Sequence, residues 1–343
     1  TNAMTRSVWF FLVLLAVSIS SCKEEVDDCQ ADAHPYQLQF PDYFPILDVP
    51  SDNPLTEEGV QLGRRLYYDP LLSTGGPREG RSCSSCHFQS NSFSVPSTAS
   101  GSSVLPHVNL AWSRNFLWNG KVEGTLEDVM LFEVNDFFEV DFNLLKEDAV
   151  YPELFRKAFG SCEITDELVA KALAQWFRRL KSSNSKFDSY LKGEEQLTDS
   201  ELNGMTTFFT EKGDCFHCHG IPLMTNNEFH NIGIDSIYDP TVKDRSYISG
   251  SPYDRLKFKT PTLRNVELTS PYMHDGRFVT LEEVVEHYNS QVKRSMTIDP
   301  IMTKPGKEYG LQLTEEEKQN LVAFLKTLTD WEFVNDTSLS SPF

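Results

Sequence analysis

Two pentapeptides constrain this chain more than anything else in its sequence: Cys83-Ser84-Ser85-Cys86-His87 and Cys215-Phe216-His217-Cys218-His219. Both read C-x-x-C-H. Two thiols at that spacing can add across the two vinyl groups of one porphyrin. The histidine that follows can then swing beneath the ring and offer a neutral imidazole nitrogen to iron. A structural zinc site would pair its C-x-x-C motifs without requiring that histidine. A thiol–disulfide redox motif accounts less well for the repeat and for the export signal described next. The sequence therefore predicts two covalent c-type haems on Cys83, Cys86, Cys215 and Cys218, with His87 and His219 as iron ligands.

The N-terminus reads as an address. Thr1-Asn2-Ala3 ahead of Met4 has the look of a cloning remnant, Arg6 supplies positive charge, and Val8 to Val17 is almost wholly apolar. That run is short for a bilayer span, which favours a cleaved signal peptide over a transmembrane helix. It ends in Ile19-Ser20-Ser21-Cys22, which resembles a bacterial lipobox. The resemblance implies cleavage before Cys22 and lipidation of its thiol; the alternative is an ordinary signal peptide with a free Cys22. The expected location is periplasmic, with the membrane touched only through that lipid anchor. The acidic stretch Lys23 to Asp28 reads as a tether.

Of the seven cysteines, the lipobox and the two motifs leave Cys29 and Cys162. An oxidising compartment would let them pair, but the sequence does not show that they are close. The formal net charge of −19 excludes a nucleic-acid partner, because such a surface repels phosphates. It suits a basic protein partner, or it serves solubility alone.

The length of 343 residues suits two domains, and an apolar fraction of 39% suffices for real cores. Helical patterns begin at Thr56-Glu57-Glu58, with Val60, Leu62 and Leu66 on one side, and run over Leu126 to Val134, Phe142 to Phe159 and Thr165 to Leu191. Three capping boxes, Thr198 with Glu201, Thr280 with Glu283 and Thr314 with Glu317, start later helices. The last helix should bury Leu321, Phe324, Leu325 and Leu328. No strand pattern stands out. The expected fold is mainly α with two haem-binding units. Its parts are a tag remnant and lipoprotein signal peptide (1–21), a tether (22–43), an N-terminal domain (44–192), a C-terminal domain (193–332) and a tail (333–343).

Longer blocks carry a family resemblance. Leu62-Gly63-Arg64-Arg65-Leu66-Tyr67-Tyr68-Asp69 precedes the first motif, and Asn109-Leu110-Ala111-Trp112 leads to Phe116-Leu117-Trp118-Asn119-Gly120. Phe229-His230-Asn231-Ile232-Gly233 follows the second motif. Thr260-Pro261-Thr262-Leu263-Arg264-Asn265 then leads to Pro271-Tyr272-Met273-His274-Asp275-Gly276. From about Leu55 to Leu328 the chain resembles the bacterial di-haem cytochrome c peroxidases, a superfamily that includes the di-haem enzyme maturing the tryptophan-derived quinone of methylamine dehydrogenase.

The resemblance implies two cytochrome c-like domains with the haems near their interface. The N-terminal haem meets hydrogen peroxide and the C-terminal haem takes electrons from a small c-type cytochrome or cupredoxin. Trp118 matches the tryptophan between the haems, and Glu139 matches the distal acid–base residue. The neighbouring distal glutamine falls on Val129, a departure from the family. No histidine occurs between Phe88 and Pro106, where resting members carry a blocking ligand, so the first haem is expected to be open. Thr269 and Pro271 match two carbonyl ligands of a calcium ion, while its asparagine ligand falls on Ser103. A tyrosine, Tyr288, stands where ordinary members carry the methionine ligand of the second haem; Met273, His287 and Met296 are the alternatives. A helix from Thr280 would put Leu281, Val284, Val285 and Tyr288 on one buried face. The leading expectation is a peroxidase. The alternatives are an oxidase that modifies a partner protein and a non-catalytic di-haem electron carrier. A homodimer is left open.

Overall fold

The computed structural model describes residues 29–96 and 103–343. The signal peptide, Cys22 and the acidic stretch to Asp28 lie outside the described residues, as does part of the serine-rich loop. The fold is mainly α, as expected. The first part holds α1 (Glu57–Tyr68), α2 (Leu126–Phe132), α3 (Phe142–Glu147), α4 (Tyr151–Phe159) and α5 (Asp166–Arg179). The second holds α6 (Lys186–Leu191), α7 (Asp199–Phe208), α8 (Arg245–Ser249), α9 (Leu281–Ser290), α10 (Glu315–Lys326) and α11 (Trp331–Asn335). Two antiparallel pairs join them: β1 (Asn115–Phe116) with β2 (Val122–Glu123), and β3 (Phe229–His230) with β4 (Phe258–Lys259). Strands of two residues are too short to show alternation, which is why no strand pattern stands out in the sequence.

The three capping boxes start α7, α9 and α10 as expected, each threonine accepting from the backbone of its partner glutamate. Two helix crossings organise the domains. In the first, α1 lies on α5, and Gly63 makes the approach possible: a Cβ there would come within 2.0 Å of the Ala172 carbonyl oxygen. In the second, α7 lies on α10, and a Cβ on Gly204 would come within 1.9 Å of the Asn320 carbonyl oxygen. Around these crossings stand two separate cores. One contains Leu62, Leu66, Leu173 and Trp176, the other Phe208, Leu281, Val285 and Phe324.

Four expectations are corrected. Phe142 to Phe159 is two helices, α3 and α4, interrupted where the Asp148 carboxylate caps the N–H groups of Val150 and Tyr151. Thr165 to Leu191 is also two helices. Its break is held by Asp330, whose Oδ2 accepts from the N–H groups of Ser183 (3.0 Å) and Asn184 (2.9 Å), and by Asn109, which binds Ser182 through both side-chain atoms. Phe187 of α6 lies in the second core, so the cores change over before α6 rather than at residue 193. Finally, 333–343 is no free tail. Phe333, Val334 and Leu339 enter the first core, Tyr68 donates to the Leu339 carbonyl at 2.7 Å, and Arg179 pairs with Asp336 at 2.7 Å. The chain end thus straps the C-terminal domain back onto the N-terminal one. Cys29 and Cys162 form a disulfide with Cα atoms 5.5 Å apart.

Candidate haem centres and the wall between them

Each C-x-x-C-H motif lies on a tight turn, Cys83–Ser85 and Cys215–His217, that turns both cysteines and the histidine towards one cavity. The His87 Nδ1 sits 2.8 Å from the Phe93 carbonyl and the His219 Nδ1 3.0 Å from the Met224 carbonyl. A carbonyl can only accept, so Nδ1 carries the proton in both rings and Nε2 keeps its lone pair for a metal. Burial pulls both imidazoles down to about 4, which keeps them neutral. The cavities above them measure about 590 Å³ at the first motif and about 800 Å³ at the second, large enough to bury a whole cofactor. Donor chemistry, tautomer and space all fit a haem at each motif.

His107 packs against His87, the two rings stacked with centroids 3.4 Å apart and planes 15° apart. Its Nδ1 lies 3.1 Å from the Tyr67 hydroxyl. It therefore stands beside the proximal imidazole.

The distal carboxylate is where structure and resemblance part. Glu139 is exposed, has φ +54°, and is not among the residues lining the first cavity. Glu133 does line that cavity, together with Val129, Met130 and Phe138. After α2 the helix widens into a π turn over Glu133–Phe137, a distortion that often marks functional sites. Burial raises the Glu133 carboxyl to about 7, against a smaller opposing pull from Lys121 and Arg78. The sequence held a signal for it: Leu126, Val129, Met130 and Glu133 recur at i, i+3, i+4 and i+7, one helix face.

Tyr288 lines the second cavity with Leu281, Val284 and Val285 of the same face of α9. Burial pushes its phenol well above the ordinary value, and Cys218 and Cys215 add to the effect. Met273 and Met302 line the same cavity. Met296 is fully exposed, and the His287 Nε2 is 3.0 Å from the Ile232 carbonyl, so neither faces the haem as a ligand would.

Trp118 lines both cavities. Its indole N–H donates to the Ser103 carbonyl at 3.0 Å, and the Ser103 hydroxyl donates to the Pro271 carbonyl at 3.0 Å. Calcium would need that carbonyl. Thr269, Pro271 and Ser103 offer no carboxylate, against the six to eight oxygens calcium takes, so these three residues fit the ion poorly. Among the described residues one acidic trio, Glu211, Asp214 and His217, has metal-ligand spacing, but its carboxylates pair with Lys304 and Lys307. No helix of the described residues is long and apolar enough to cross a membrane.

The family model of the di-haem cytochrome c peroxidases matches residues 57–196. The methylamine utilization protein MauG of Methylorubrum extorquens is 34% identical over 81% of this chain and 80% of its own. The cytochrome c551 peroxidase of Nitrosomonas europaea is 31% identical over 87% of this chain and 91% of its own. Among solved structures, a MauG-like protein associated with microbial copper homeostasis superposes with a TM-score of 0.77 at 33% identity, covering 90% of this chain and 99% of that one. The diheme peroxidase BthA of Burkholderia thailandensis shares the fold, with a TM-score of 0.64 at 18% identity over 89% of this chain and 96% of that one. With two c-type haems implied and two cavities built for them, this chain belongs to the di-haem cytochrome c peroxidase family and is an oxidoreductase.

Proposed function

We propose that the protein reduces hydrogen peroxide to water in the periplasm, with electrons from a small basic redox protein. The observation that carries the reading is a half-buried carboxyl, Glu133, in the wall of a haem-sized cavity that shares Trp118 with a second such cavity. Haem iron supplies an electrophilic site for peroxide and a store for electrons. The chain supplies the rest. His87, oriented by the Phe93 carbonyl, would hold the haem iron through its Nε2. Glu133 takes the proton from the near peroxide oxygen and returns it to the far one, so that two electrons and two further protons yield two waters. Trp118 carries the electrons across the wall. Glu133 takes this role here in place of Glu139, which the resemblance implies, because only Glu133 faces the cavity. The charge of −19 suits a basic donor. Location and the Cys22 anchor rest on the N-terminal sequence.

A second reading is an oxidase acting on a partner protein. Tyr288 favours it: a phenolate is a hard anionic ligand that stabilises higher oxidation states of iron, where a thioether stabilises the ferrous state. A pure electron carrier is less well supported, because His107 lies beside His87 rather than opposite it.

Stopped-flow mixing of the holo-protein with peroxide tests the proposal. The optical spectrum of the first haem should change within a single turnover, and a donor cytochrome should then be oxidised catalytically. A first haem inert to peroxide overturns it. A peroxide reaction without donor turnover selects the partner-protein oxidase.

A further inference from the structure

Lys259 lies in β4 and is 5% exposed. The residue lines both haem cavities. Among the described residues no carboxylate pairs with it, and the one acceptor near its Nζ is the Thr260 carbonyl at 3.5 Å, a weak contact. Other cations in the wall of the second cavity are already matched: Arg277 with Asp235 and Asp275, Lys293 with Asp235, and Lys307 with Asp214. An isolated ammonium removed from water is costly, so a buried lysine either loses its proton or is matched by an anion. Burial alone pulls this lysine down to about 8. The chain leaves the anion to be supplied. A c-type haem brings two propionates that neither thioether attachment nor histidine ligation satisfies.

We propose that Lys259 is the counter-ion of a haem propionate at the wall between the two haems, fixing an ionised carboxylate next to Trp118. The backbone supports the placement: the Lys259 N–H donates to the Trp118 carbonyl at 2.8 Å, which ties β4 directly to the tryptophan. The pairing does two things. It holds a porphyrin edge in register with the indole, and it offsets the propionate charge that would otherwise favour the ferric state. Lys259 is thus a positioning residue that tunes one haem rather than a group that touches peroxide.

The inference rests on the reading that both motifs carry haem, so attachment is scored first, by acid–acetone extraction of the exported protein. Loss of haem there defeats that reading and not this one. With both haems in place, spectroelectrochemical titration of Lys259→Met should show a lowered midpoint potential for at least one haem, because a cation near the iron has gone. Lys259→Arg should restore the wild-type potential. Lys259→Gln, which keeps a polar side chain of similar reach, should lower the potential in the same way and serves where the methionine variant does not accumulate. Unchanged potentials in both neutral variants would overturn the proposal. So would an equal fall in Lys259→Arg, which would mean that shape and not charge matters.

Discussion

The indole N–H of Trp118 donates to the Ser103 carbonyl at 3.0 Å, and through the Ser103 hydroxyl it is tied to Pro271 in the other domain. The ring between the cavities is therefore held by both domains at once. Trp118→Phe keeps an aromatic ring but loses that bond and the indole. Both haems should remain attached. Electron delivery from the second haem to the first should slow on the order of tenfold or more, the equivalent of about 1.4 kcal/mol of barrier. Rapid-mixing spectroscopy of the half-reduced protein would show it, and an unchanged rate would remove Trp118 from the path.

Glu133 and Glu139 can be separated by a pair of variants. Glu133→Gln should slow the reaction with peroxide by roughly 10²-fold or more, the usual scale for a lost acid–base group, while Glu139→Gln should leave it near wild type. The reverse result would return the role to Glu139. The pH profile adds a second check. With the Glu133 carboxyl raised to about 7, the base form fills as pH rises, so the peroxide rate should climb through about pH 7 and then level. The same raised value means that folding stability carried by protonated Glu133 is present below the ordinary carboxylate range and is lost as pH rises through about 7.

Tyr288 should be the sixth ligand of the second haem. Ferric holo-protein would then lack the weak near-infrared sulfur-to-iron band of His/Met haems. Tyr288→Met should raise the potential of that haem, since a thioether favours ferrous iron. A sulfur band in the wild type that persists in Tyr288→Phe would assign the ligand to Met273 or Met302, which line the same cavity.

Arg264 and Asp188 form a buried bidentate pair, Nη1 to Oδ2 at 2.8 Å and Nη2 to Oδ1 at 2.9 Å, beside the change of cores. Burial would raise the Asp188 carboxyl, but Arg264 outweighs it and holds the group at about 2. The stability it contributes is present above the ordinary carboxylate range near 3.8 and is lost as pH falls towards about 2. Arg264→Leu should cost about 3–5 kcal/mol, because it strands a buried carboxylate. Denaturant unfolding of the holo-protein measures this, and a loss under about 1 kcal/mol would place the pair among weak surface bridges.

What the sequence determined by itself is the chemistry that lives within a few neighbouring residues. Two thiols and a histidine in five positions bind one porphyrin whatever surrounds them, and a threonine three positions before a glutamate caps a helix wherever the helix lies. Tertiary structure alone decided what depends on residues far apart. Six positions separate Glu133 from Glu139, and the π turn with a left-handed residue after it sends one into the cavity and the other to solvent. The break after α5 depends on Asp330, the chain end is held by contacts with Tyr68 and Arg179, and Cys29 meets Cys162 only once the segment around Asp32 is bonded to the Lys157 carbonyl of α4. Lys259 belongs to none of the motifs described in the sequence. Only folding buries it with no carboxylate paired to it among the described residues, since burial and pairing are properties of the packed chain rather than of any stretch of it.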